Sequence, residues 1–190
     1  MTLSFSTKWG KQMGDLAGQP NYFVEKIWRG LFENNISDIR EYVSYSLSHL
    51  KQFNRGFDIS LDRTSPKLHT IRHDSHDRWK AGNKIHFVIN NRTKDRFQFA
   101  PVVEVKRVQK ISIINKTEYP TICENTDILV NDGSGSGNRK FRVYVDDKAL
   151  HPDEISELAR NDGFENVFDF FRFFNDGFTG KIIHWTNKTY

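Results

Sequence analysis

The sequence predicts an α+β domain. Apolar residues recur at helical spacing near both ends of the chain, whereas the middle, from about residue 68 to 145, is rich in short Val, Ile and Phe runs. Size agrees: 190 residues, 37% hydrophobic and 14% aromatic, suit one well-packed core and are short for two.

The elements follow in order. Residues 1–21 hold Gly10, Gly14, Gly18 and Pro20 and read as an N-terminal arm to a single domain, 22–190. Phe23, Val24, Ile27, Trp28, Leu31 and Phe32 form one wide helical face. Ile39, Val43, Leu47 and Leu50 are again at helical spacing, and Asp38 with Glu41 can cap that helix. After an irregular stretch with a short alternation at Phe57, Ile59 and Leu61, strands are expected at 68–72, 84–89 and 97–114, the last too long for one straight strand, with an edge, a bulge or a break at Pro101. Residues 128–130 and 141–145 flank the glycine-rich 131–138, a hairpin with a long tip. Pro152, Asp153 and Glu154 open a helix that Gly163 stops; Val167, Phe170, Phe171 and Phe174 form another; residues 181–185 close the chain as a strand.

Several classes drop out. No apolar run approaches the ~20 residues of a membrane-spanning helix, so no membrane role is expected. Met1 to Gly10 lacks a signal-peptide core, and Cys123 is the single cysteine, so a cytoplasmic, reducing setting is the simplest expectation. No cofactor motif is present: the glycine-rich tip lacks the Gly-Lys-Ser/Thr and helix start of a phosphate-binding loop. His69, His73, His76 and His86, with Asp74 and Asp77, match no closed zinc spacing, so no metal is expected.

Charge is unevenly distributed. The net charge is +4, but residues 67–96 carry +5 and residues 146–176 carry −6. An oriented field of this kind suits an anionic ligand at the basic zone. Within it, Trp79 sits among Arg78, Lys80 and Lys84, the pattern of a base-stacking aromatic flanked by cations, or equally of a packed lid. Lys67, Thr70 and Arg72 share a short strand. A Thr hydroxyl becomes a nucleophile when a nearby Lys of lowered pKa takes its proton, and an Arg can hold an anionic oxygen. Asp162, beside Gly163 at a helix end, is either local turn chemistry or a carboxylate at a pocket rim.

Taken together, Lys67, Thr70, Ile71, Arg72, Trp79, Gly82, Glu104 and the Asp162-Gly163-Phe164 junction make the chain resemble the ASCH domain family. The resemblance covers about residues 22–185, with insertions at roughly 34–64 and 115–147. It implies a small PUA-like β-barrel with flanking helices and an inserted hairpin. It also implies RNA or a nucleotide or nucleoside as ligand, with Arg72, Trp79, Lys80, Lys84 and Glu104 around the cleft. One branch is similar to bacterial acetylcytidine amidohydrolases, which implies Lys67, Thr70 and Asp162 as catalytic residues of a metal-independent hydrolysis. Asp162 stands where that branch has Glu. The functional expectations are therefore RNA or nucleotide binding in a basic cleft, amide hydrolysis of an acylated nucleoside as the alternative, and a protein-interaction module as the third.

Overall fold

In the computed structural model, residues 1–57, 65–116, 125–131, 138–174 and 177–190 are described. The elements are β1 (Thr2–Phe5), a 3-10 segment (Lys11–Leu16), α1 (Phe23–Glu33), α2 (Ile39–Phe53), β2 (His69–Arg72), β3 (Lys84–Ile89), β4 (Phe97–Gln98), β5 (Val103–Glu104), β6 (Arg107–Asn115), β7 (Asp127–Asn131), β8 (Asn138–Val145), β9 (Lys148–Ala149), α3 (Pro152–Asn161), α4 (Val167–Phe173) and β10 (Phe178–His184). The α+β class holds. The glycine tip inside 131–138, Cys123, and the Ile59 and Leu61 part of the alternation lie outside the described residues.

The strands form two sheets. One joins β1, β3 and β4, with β5 also on β3; the other runs β2-β10-β6-β8-β7, with β9 on β8. Both are open among the described residues rather than closed into a barrel. Their registers explain the sequence pattern. The long apolar run splits around Pro101 into β4, β5 and β6, because proline cannot donate to a ladder.

The N-terminal arm departs from a loosely docked loop. Its first residues pair parallel with β3, Leu3 opposite Phe87 and Phe5 opposite Ile89, so both side chains enter the core. The alternation Thr2-Leu3-Ser4-Phe5 was the signal for this strand in the sequence.

Two apolar clusters fill the interior. One gathers α1, β1 and β3 around Trp28, Phe87 and Trp185; the other gathers α3, α4, β6 and β8 around Leu158, Phe170 and Val143. On β10, Ile183 belongs to the first and Ile182 to the second, so the six-stranded sheet contributes alternate side chains to each.

Helix α2 has two apolar arcs. Asp38 caps it through the Arg40 and Glu41 amides. Its aromatic arc packs inward: Tyr42 and Tyr45 meet Trp28, and His49 and Phe53 meet Phe97. Ile39, Val43, Leu47 and Leu50 remain 45–61% exposed. No helix among the described residues is long and apolar enough to cross a membrane.

Candidate functional site

Lys67 and Leu68 lead into β2 between two helices. The Lys67 amide donates to the Lys26 carbonyl in α1 at 2.8 Å, and the Leu68 amide donates to the Asn161 carbonyl in α3 at 2.8 Å. Gly30 permits this approach, since a Cβ there would lie 2.3 Å from the Lys67 carbonyl oxygen. Gly163 ends α3 at φ +93°, where a Cβ would crowd Phe23 and Lys67. These contacts deliver Asp162 to the strand from 95 residues away.

Lys67 Nζ donates to Asp162 Oδ1 at 2.6 Å and also to the Asp162 carbonyl oxygen. The Ile71 amide donates to the same carboxylate at 3.2 Å. Lys67 is 1% exposed and Asp162 4%. Burial pushes the Lys67 ammonium down to about 8 against the pull of Asp162. Burial pushes Asp162 up, opposed by Lys67, Arg72 and the Ile71 amide. The basic segment 67–96 and the acidic segment 146–176 therefore meet here in a sealed ion pair.

Thr70 is 3% exposed and pairs with Ile183 on β10, on the opposite face of β2 from His69. Its hydroxyl makes no hydrogen bond among the described residues. Neither Lys67, Thr70 nor Asp162 lines the groove at Lys110 and Thr179 or the one at Tyr22 and His49. Arg72 is held by the arm: Nη2 donates to the Ser4 carbonyl at 2.9 Å, and the guanidinium lies over the Phe5 ring. A Thr nucleophile needs its Oγ open to substrate and in contact with its base, and this arrangement supplies neither.

The other expected ligand residues divide. Trp79 is 6% exposed within the first core cluster, so of its two readings packing is the one observed. Asp74 holds the Arg78 and Trp79 amides. Lys80 pairs with Asp77, and Lys84 with Glu104 at 2.7 Å across the β3-β5 register. Of these two acids only Glu104 lies outside the +5 zone, so the pairs lower its net charge by one. The histidines do not cluster: His73 bonds the Thr179 carbonyl and His76 the Ser75 hydroxyl, while His86 bonds Gln98. Among the described residues no three His, Cys, Asp or Glu side chains converge.

Sequence reasoning missed two groupings. The first is buried beside Asp162. His69 and His184 face each other across β2 and β10, ring centroids 5.2 Å apart. Tyr190 Oη accepts from Asn161 at 2.8 Å and is hydrogen-bonded to His69 Nε2 at 2.9 Å. His69 Nδ1 lies 3.7 Å from Asp162 Oδ1. Burial holds both imidazoles below their ordinary range, His184 at about 4.

The second is a groove of about 320 Å³ on the open face of the six-stranded sheet. The registers align Thr179, Ser112 and Tyr144 abreast on β10, β6 and β8, with Lys181 and Lys110 abreast in the neighbouring row. Lys181 meets Asp77, and Lys110 has no ion pair among the described residues. The signal was in the sequence as the alternate polar positions of the 107–115 strand, but only the register brings the rows together. Compared with family models, curated proteins and solved structures, the chain matches none.

Proposed function

We propose that this chain is an ASCH-like, PUA-related domain that binds single-stranded RNA or a nucleotide on the open face of its six-stranded sheet. One observation carries the reading: a row of hydroxyls, Thr179-Ser112-Tyr144, lies beside Lys181 and Lys110 in one groove, whose lining also includes Asp74, Asp146 and Asp147. A phenol ring offers a stacking platform, short hydroxyls offer hydrogen bonds to sugar and base edges, and lysines neutralise phosphate. Rows two residues apart on a strand are ~6.6 Å apart, and strands ~4.8 Å apart, so the three kinds of contact fall within one nucleotide's reach. On this reading the Lys67-Thr70-Arg72 stretch is a strut that orders β2 between α1 and α3.

The test is fluorescence anisotropy with a labelled single-stranded RNA across a salt series. Binding that weakens steeply with salt and falls in Tyr144→Ala supports the proposal. No binding at low salt, or binding indifferent to Tyr144 and Lys110, overturns it. Incubation with acetylcytidine, read by mass for cytidine, should show no turnover, because Thr70 is closed to substrate.

A further inference from the structure

We infer that the outer face of α2 docks an amphipathic helix with acidic flanks, carried by another protein. Ile39, Val43, Leu47 and Leu50 stand at i, i+4, i+8 and i+11, the spacing of a helix-packing seam, over ~16 Å of helix. Each is 45–61% exposed, although the helix is already anchored by its aromatic arc. On the helical wheel the four residues span roughly 80°, and Arg40 and Lys51 border them on the side away from the core. Neither cation makes an ion pair among the described residues. Among the described residues no acid shares that border: Glu41 lies around the far side, bonded to Ser37, and Asp38 is engaged as the cap.

The charge selects the occupant. A second copy of α2 laid antiparallel on the seam would keep the same border facing itself and set Arg40 and Lys51 against their twins. An apolar helix flanked by Asp or Glu about three turns apart would instead meet both cations and cover the aliphatic row. Ser44, next to the seam, adds little bulk to hinder close approach of a partner backbone.

The inference stands apart from RNA binding and has its own experiment. The probe is a capped, labelled 18-residue helical peptide with leucines at the seam spacing and glutamates on its flanks, compared with a twin carrying lysines there. The native chain should bind the acidic peptide and bind the lysine twin roughly tenfold more weakly, as two rim pairs would give. Leu47→Asp should abolish binding while circular dichroism and melting stay unchanged, since the side chain is outside the core. Arg40→Glu with Lys51→Glu should reverse the preference. Equal binding of both peptides, no binding of either, concentration-dependent dimerisation lost in Leu47→Asp, or attachment to phosphatidylserine vesicles in place of the peptide would each overturn it.

Discussion

Lys67 Nζ and Asp162 Oδ1 lie 2.6 Å apart with almost no solvent on either. Removing one member strands the other in a site that cannot hydrate it. Asp162→Ala should cost about 3–5 kcal/mol, because an unpaired buried charge is far worse than a missing pair. Lys67→Met with Asp162→Leu should recover most of that loss. Urea midpoints for the two variants check this; equal losses would reject it.

The histidine pair should make stability fall with acid. His184 protonates at about 4 in the folded chain and at 6.5 in an unfolded one, and His69 is shifted the same way by burial. Between those values the unfolded chain binds protons that the folded chain does not, so stability rises with pH and flattens above about 7. The His184 share is about 2 kcal/mol between pH 7 and pH 5. Unfolding midpoints at both pH values should show the drop, and His184→Phe should shrink it.

Thr70→Val should be silent. The hydroxyl has no partner to lose, so an apolar group of the same shape should change stability by less than about 0.5 kcal/mol. RNA affinity should be unchanged. A large loss of binding in this variant would return Thr70 to the functional site.

In the groove, Lys110→Gln and Lys181→Gln should each lower the slope of log affinity against log salt by about one. Tyr144→Ala should weaken binding by about 1–3 kcal/mol as a stacking platform is removed. Lys84→Gln, on the other sheet and paired with Glu104, serves as the unaffected control in the same titration.

Gly30→Ala should destabilise, against the helix preference for alanine of about 1 kcal/mol. The new Cβ would sit 2.3 Å from the Lys67 carbonyl oxygen, and that backbone is pinned to Lys26 and cannot retreat. A net loss of about 2 kcal/mol is expected, read as a lower denaturation midpoint.

The sequence was most legible where a local rule acts alone. Apolar periodicity located α1, α3 and β3, and Pro101 stands in the gap between β4 and β5. It was least legible where two local solutions coexist. Helix α2 carries an aromatic arc and an aliphatic row, and periodicity does not say which one the core takes. The Lys67-Asp162 meeting was readable through the resemblance, but its closure was not. Gly30, Gly163 and the arm at Ser4 and Phe5 seal it, and each is a long-range contact invisible along the chain. Tyr144 and Lys110 were hidden for the same reason, since a binding row across strands exists only once the register is known.

The two amides at Lys67 and Leu68 have a consequence for how the molecule opens. They fasten β2 to α1 on one side and to α3 on the other, so a seam of backbone joins the two apolar clusters. Neither cluster can loosen there without breaking a bond that belongs to the other. These amides should exchange their hydrogens only with global unfolding, and the chain should melt as one cooperative unit rather than as two halves.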